Sequence, residues 1–412
     1  RHCTFPFRLR ADENKEKLEK MDLLQTVTTE YEKRFGSKPA HIARAPGRVN
    51  LLGEHVDYND GLVLPAAINL ATWIAFSASG TETSTLKALD MNQEETIFSL
   101  KSIRSKVDIN GRPLSDWAKY PAGVAWALIQ KGLAVEGMNA VFASDVPRGA
   151  SLSSSASVEM TFATAWQALG GWYIPPMQLA IIGQTAENQY VGMNCGIMDQ
   201  FSSACGERDR LLLLDCRSLE YRTLPLPENV SIVIADTSAR RTLVTSAYNQ
   251  RRASCEEAVR FLQQKMPELK SLRDISVAQF NTISAILPEE TRMRADHVVN
   301  EIERTGRAIP LLEKGDVAGF GHLMNACHAS LRDLYEVSGP ELDLMARLAQ
   351  PIRGCYGARQ TGGGFAGCTV NLVEKSMAKD FSRELASKYE AQSGLHPEVY
   401  VCQASKGAEM LR

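Results

Sequence analysis

Strand-like and helix-like segments alternate along this chain without a regular βαβ period, and that irregular order is the strongest constraint on its fold. Short runs rich in Val, Ile, Leu, Thr and aromatic residues at 61–68, 71–79, 84–91 and 95–100 read as strands. So do the run from Ile42 to Pro46-Gly47, the run around Val141-Phe142, Leu211–Leu214, Val230–Ala235, 368–373 and 398–402. Residues 13–35 read as a surface helix, with Leu18, Met21, Val27, Tyr31 and Phe35 near one face and Gly36 as its stop. Further helices are expected at 121–132, entered at Pro121, and at 154–169, 177–191, 242–265, 296–313, 316–335 and 376–390. The class is therefore α+β. A chain of 412 residues is long enough for two packed lobes. The division is expected near residue 200, giving an N-terminal lobe of 1–200 and a C-terminal lobe of 201–412.

Charge and cysteine usage narrow the function classes. The 46 basic and 48 acidic residues nearly balance, so nothing points to nucleic acid or an acidic membrane as partner. No apolar run approaches the roughly 20 residues of a membrane span. Nine scattered cysteines form no CxxC and no disulfide framework, which points to a reducing, cytoplasmic setting. His322, Cys327 and His328 lack the spacing of a structural zinc site and fit an amphipathic helix instead. The chain opens at Arg1 without Met, and Arg1, His2, Arg8 and Arg10 make that end basic; a cropped start is the expected reading.

Four segments concentrate chemistry. The first, GRVNLLGEHVDYNDG (Gly47–Gly61), holds one Arg, one His, one Glu and two Asp just after a strand. Carboxylates accept hydrogen bonds from hydroxyls and imidazole donates or accepts, which suits a sugar. The same composition fits a solvated turn, since Asn59-Asp60-Gly61 is a hairpin signal by itself. The second, PRGASLSSSASVEM (Pro147–Met160), runs from a breaker-rich loop into a helix. Its small residues and the free N–H groups of a helix N-terminus suit a phosphate, although a plain serine cap also accounts for part of the pattern. No GxxxxGK[ST] occurs, which excludes a standard P-loop.

The third segment, QTGGGFAGCTV (Gln360–Val370), contains a formal GxGxxG, but a strand follows it rather than the helix of a dinucleotide fold. Its consecutive glycines permit either close approach of backbone to a ligand or a flexible turn. In the fourth, GMNCGIMDQF (Gly192–Phe201), Asp199 reads as a helix cap or as a base.

Together and in this order, the segments resemble the superfamily of galactokinase, homoserine kinase, mevalonate kinase and phosphomevalonate kinase. Gly47–Gly61 looks like the galactokinase signature, which the other branches lack. The likeness spans about residues 20 to 405. It includes DCRSLE (Asp215–Glu220), the stretch from Tyr248 to Glu257, and SLRDLYEVSGPELD (Ser330–Asp343). It implies a two-lobed small-molecule kinase with its site in the interlobe cleft. Galactose and MgATP are the implied ligands, and the implied reaction moves the γ-phosphoryl group onto the anomeric hydroxyl, the first committed step of galactose catabolism. A monomer is expected.

By position, Arg48 and Asp199 match the family's catalytic pair. Arg48, Glu54, His55, Asp57, Gly196, Asp199 and Tyr248 match the sugar-binding set, and Ser155 and Glu187 match the magnesium ligands. Gly149, Ala150, Ser151, Leu152, Ser153, Ser154, Ser155, Ala156 and Ser157 match the phosphate loop, and Trp117 and Tyr120 match aromatics near the adenine. The chain departs from the pattern at Ser151 and Ala366, where glycine is usual, and at Gly339, where cysteine is common. Related readings are a kinase for N-acetylgalactosamine or arabinose, and a non-catalytic galactose sensor. Such sensors lack the Ser-Ala pair that stands here as Ser155-Ala156.

Overall fold

Among the described residues two sheets organise the α+β fold, one of eight strands and one of four. The computed structural model describes residues 13–240 and 244–412, with side chains left aside at 13–22 and 244–246. The basic start, the side chains of Leu18 and Met21, and residues 242–243 of the helix expected at 242–265 lie outside the described residues.

The chain begins with α1 (Glu13–Phe35), β1 (His41–Leu52), β2 (Leu62–Ala78), β3 (Thr83–Ala88) and β4 (Glu94–Ser99). It continues through α2 (Lys119–Gln130), β5 (Met138–Ser144), α3 (Ser154–Gly170), α4 (Pro176–Thr185) and α5 (Met198–Cys205). Next come β6 (Arg210–Asp215), β7 (Tyr221–Pro225), β8 (Val230–Asp236), α6 (Val244–Leu262), α7 (Val277–Ile283), α8 (Glu289–Glu313), α9 (Val317–Asp333) and α10 (Pro340–Ala349). The last elements are β9 (Cys355–Gln360), β10 (Cys368–Glu374), α11 (Ala378–Ser393), β11 (Glu398–Cys402) and β12 (Glu409–Met410).

The large sheet runs β12-β1-β2-β5-β3-β4, with β6 and β7 added along the far end of β2. All its pairings are antiparallel except β3 with β5. Along β2 the side chains alternate between two cores, as the two-residue period of a strand requires. Ala71, Trp73 and Ala75 meet Val27 and Tyr31 of α1, while Ile74 and Phe76 enter the main core that α3 shares. The small sheet, β11-β8-β10-β9, does the same: Val233 and Ala235 face α10 and α11, and Ile232 and Ile234 face the main core.

Most expected elements are present, and the differences have physical causes. The segments 61–68 and 71–79 form one strand, β2, interrupted by a bulge. The pairing passes from Pro46–Ala71 to Arg48–Ala67, and Ile68 bridges Ala404 instead. The helix expected at 177–191 is α4 followed by one π-helical turn, Ala186–Val191. α8 starts earlier than the expected residue 296, after Pro288, because Glu289 and Glu290 suit a first turn. α5, β7, α7, α10, β9 and β12 are not among the expected elements. Strands β6, β7 and β12 come from beyond residue 200 yet pair within the large sheet. Among the described residues, no helix is long and apolar enough to cross a membrane.

The DCRSLE segment turns out to be a junction. Asp215 pairs with Arg273, whose guanidinium also donates to the Asp60 carbonyl, and Arg217 bonds Asp60, Asp274 and Ser271. Arg273 holds the Asp215 carboxyl down to about 2, from an ordinary 3.8. A depressed carboxyl stabilises the fold above its unfolded value, and that stability is lost as pH falls through the folded value. Asp215→Asn should therefore destabilise the protein at neutral pH, with a deficit that shrinks between pH 4 and pH 2. Urea unfolding at a series of pH values measures this, and a deficit independent of pH would contradict it.

Candidate active site

Arg48 lies on β1 opposite the bulge of β2, and its side chain lines the cleft. The guanidinium is buried. Its Nε donates to Asp199 Oδ1 at 2.9 Å, Nη2 lies 2.8 Å from the same oxygen, and Nη1 donates to the Ser151 carbonyl at 2.7 Å. The Arg48 N–H donates to the Leu152 carbonyl at 3.1 Å, so strand and loop are stitched together. Asp199 lies in the first turn of α5, whose cap position is Ile197, and makes no cap bond. Its second oxygen, Oδ2, accepts from Ser153 Oγ at 2.6 Å.

The serine loop is likewise more than a cap. Ser153 precedes α3 with φ 57° and ψ 48° and makes no side-chain cap bond, because its hydroxyl is spent on Asp199. The first N–H groups of α3 have no partner within the helix. Gly149, Ser151, Leu152, Ser153, Ser154 and Ser155 line a cavity of about 430 Å³ together with Arg240, Gly363, Gly364 and Ala366. Ala150, Ala156 and Ser157 are buried and do not line it. Ser157 is tied to the sheet instead, donating to the Ala45 carbonyl at 2.8 Å and lying 2.8 Å from Thr72 Oγ1.

The glycine segment is the connection between β9 and β10, and it explains Ser151. A side chain at Gly362 or Gly367 would run into Ser151, whose own φ is 61°. The missing Cβ atoms across the cleft make room for the one that Ser151 carries.

A second cavity of about 250 Å³ is lined by Arg48, Glu54, His55, Asp57, Glu187, Cys195, Gly196, Asp199, Tyr248 and Gly363, among others. Arg48, Asp199 and Gly363 line both cavities, so the two meet at the Arg48–Asp199 pair. Glu54 is buried; Arg359 pairs with its carboxylate, which also accepts from the Gly362 N–H at 3.1 Å. Burial raises its pKa, against the attraction of Arg359 and Arg48. His55 adopts φ 61° and bonds Tyr58 Oη through Nδ1 at 2.9 Å, while its buried Nε2 has no hydrogen-bond partner. Burial, then the neighbours His297 and Arg359, hold its pKa down to about 3, so the ring is neutral. Burial and then the Asp199 charge push Asp57 up to about 6. Gly196 is required beside it, because a Cβ there would overlap the Asp57 carboxylate. Tyr248 closes this wall with its ring centroid 5.6 Å from that of His55.

Glu187 occupies the π-turn, a geometry that widens the helix and turns this side chain inward. Its Oε2 accepts from Gln200 Nε2 at 2.5 Å, and Gln200 also donates to Glu159 Oε2 at 2.9 Å. Burial, then Asp199, push Glu187 up to about 7, while Cys195, Gln200 and Ser155 lower it. Glu159 is wholly buried and is also raised well above the ordinary carboxylate range, by burial and then Glu187. Such a carboxylate, short of positive charge and within reach of a serine hydroxyl, suits a hard divalent cation that keeps most of its waters. Among the described residues no cluster of three or more His, Cys, Asp or Glu is arranged to hold a metal by itself.

Trp117 packs in the core with its ring 5.5 Å from Phe142, and neither it nor Tyr120 lines either of the two cavities. Burial and the carboxylates of Glu187 and Glu159 raise the Tyr120 hydroxyl. Sequence reasoning missed Arg240, Glu159, Gln200 and Arg359. Glu159 and Gln200 fall inside segments two and four, and Arg240 and Arg359 carry no local signal.

Comparison with known proteins agrees with this geometry. Residues 29–78 match the galactokinase galactose-binding signature, and residues 119–207 match the GHMP kinases N terminal domain. A galactokinase from Roseiflexus sp. (strain RS-1) is 46% identical over 377 residues, covering 92% of this chain and 94% of that protein. The crystal structure of Lactococcus lactis galactokinase complexed with galactose superposes with a TM-score of 0.88 at 33% identity, covering 94% of this chain and 99% of that one. Methanococcus jannaschii mevalonate kinase shares the fold, with a TM-score of 0.63 at 18% identity over 89% of this chain and 99% of its own. The signature covers Arg48, Glu54, His55 and Asp57, the N-terminal domain covers the serine loop and Asp199, and the closer relatives run nearly end to end: the chain belongs to the galactokinase family.

Proposed function

We propose that Arg48 and Asp199 carry out the transfer at the seam between a galactose cavity and a triphosphate cavity. The enzyme phosphorylates galactose with ATP to give galactose 1-phosphate. The observation that supports this placement is that one ion pair lines both cavities. A sugar bound against Glu54, His55, Asp57 and Tyr248 and a triphosphate over the start of α3 would meet at Asp199.

Recognition follows from the donor and acceptor inventory. The neutral His55 has a buried Nε2 without a partner, suited to a sugar hydroxyl. Asp57 offers acceptor oxygens, and the Tyr248 ring supplies an apolar wall. On the other side, the N–H groups of α3 and the Arg240 guanidinium face the phosphates.

In the reaction, the anomeric O–H gives its proton to Asp199 as that oxygen bonds to the γ-phosphorus, and the bond to the β-phosphate oxygen breaks to release ADP. Arg48 holds Asp199 in place, and it lies where negative charge builds on the transferring group. Ser153 holds the second Asp199 oxygen without using up its lone pairs. Because the transition state is loose, positioning and charge outweigh base strength. Glu187 and Ser155 would hold magnesium, which when bound offsets charge on the phosphate oxygens.

Asp199→Asn should lower kcat by roughly a hundredfold or more while galactose still binds, since general base catalysis commonly contributes about 10²–10⁴. Coupled ADP release and calorimetry of galactose binding measure the two; turnover at the wild-type rate would remove Asp199 from the chemistry. A second expectation concerns pH. Below about 7 a proton competes with the cation for Glu187, so the half-saturating magnesium concentration should rise as pH drops from 8 to 6. Glu187→Gln should raise that concentration at pH 8 and flatten its dependence on pH. An unchanged magnesium titration in this variant would place the metal elsewhere.

A further inference from the structure

The sugar wall is held from behind by a buried polar group that the mechanism does not use. Glu301, on the inner face of α8, has no exposure, and its Oε1 accepts from the Gly53 N–H at 2.8 Å and the Glu54 N–H at 3.4 Å. The same oxygen accepts from Cys327 Sγ at 3.0 Å, while Oε2 pairs with Arg304. One turn earlier on α8, His297 is also fully buried. Its Nε2 lies 3.2 Å from the Glu54 carbonyl and its Nδ1 lies 2.8 Å from Ser330 Oγ.

A carbonyl can only accept, so Nε2 carries the ring hydrogen and Ser330 donates to Nδ1. Both backbone groups of Glu54 are thus gripped by α8, and Gly362 and Arg359 grip its carboxylate. Immediately after it comes His55, held in the left-handed region at φ 61°. A non-glycine residue stays there only where its surroundings impose it. Tyr335, five residues after Ser330, stacks with ring centroids 4.6 Å from His297 and 4.9 Å from His55.

We propose that Glu301 and His297 are positioning residues for galactose: they fix the backbone of Gly53–His55 and so aim the Glu54 carboxylate and the His55 ring into the sugar cavity. Neither touches the sugar. The charge on Glu301 matters because one carboxylate oxygen must accept from two backbone N–H groups and a thiol at once. This inference rests on the assignment of Glu54 and His55 to galactose. It accounts for the SLRDLYEVSGPELD segment, which supplies Ser330 and Tyr335.

The test uses the whole chain and steady-state kinetics with galactose and ATP varied separately. Glu301→Gln should raise KM for galactose by about tenfold, the worth of one charged hydrogen bond, with kcat and KM for ATP within about threefold of wild type. His297→Gln keeps an N–H within reach of the Glu54 carbonyl and should sit close to wild type, whereas His297→Leu should reproduce the galactose-specific loss. Thermal melting identifies a variant that fails to fold, and the remaining variants then decide. If folded Glu301→Gln and His297→Leu keep the wild-type KM for galactose, or if KM for ATP rises in step with it, the positioning role is overturned. A wild-type protein that releases no ADP with galactose would instead overturn the sugar assignment itself.

Discussion

The cleft depends on a shortage of positive charge. Glu54, Asp57, Glu187 and Asp199 line it, with Glu159 behind, while Arg48 and Arg359 are the cations buried among them. Each arginine is committed to one carboxylate, Arg48 to Asp199 and Arg359 to Glu54. The remaining acids show the deficit: Asp57 is pushed to about 6 and Glu187 to about 7, each by burial first and the Asp199 charge next. A site in this state favours a divalent cation and a ligand rich in hydroxyl donors. It would repel a free polyanion, whereas the cavity on the other side of Asp199 offers the N-terminus of α3 and Arg240.

Backbone geometry carries a second share of the design. Non-glycine residues in the left-handed region include His55, Asp60, Ser151, Ser153 and Phe365, all on the segments that form or flank the cleft. Each costs on the order of 1–3 kcal/mol unless its surroundings enforce it. Those surroundings are identifiable. Ser151 is held by Arg48 on its carbonyl and by the glycines opposite, Ser153 by Asp199, and Phe365 by an N–H bond to the Val337 carbonyl at 2.5 Å. Removing one partner would release the strain that the others hold.

The fold class was legible because hydrophobic period survives in single strands: β8 and β10 read directly as buried runs. What could not be read was continuity. β2 looks like two strands because Asn69 and Leu70 sit in its bulge, and the bulge exists only through pairing with β1. β9 was missed because CYGARQ has no apolar period; its Arg359 is buried only through a partner 305 residues away in sequence. The site was legible where the chemistry is local, as at Gly47–Gly61 and Pro147–Met160. There the resemblance added roles that composition left open between sugar and solvent, or between phosphate and cap. Arg240, Glu301 and His297 look like ordinary surface or helix residues in one dimension.

The long sequence separations also bear on how the two halves depend on each other. Gly53 and Glu54 find their buried partners at Glu301, His297, Arg359 and Gly362, all beyond residue 290. The large sheet is completed by β6, β7 and β12, and β12 comes from the last residues of the chain. Buried polar groups left unpaired cost about 1–3 kcal/mol each, more when charged. A chain ending near residue 200 would leave the Gly53 N–H and the Glu54 carboxylate without partners, and β1 with an open edge. The Gly53–His55 wall is therefore a product of the whole chain, in which the N-terminal segment supplies Glu54 and His55 and the later elements supply the partners that fix the backbone of Glu54 and its carboxylate.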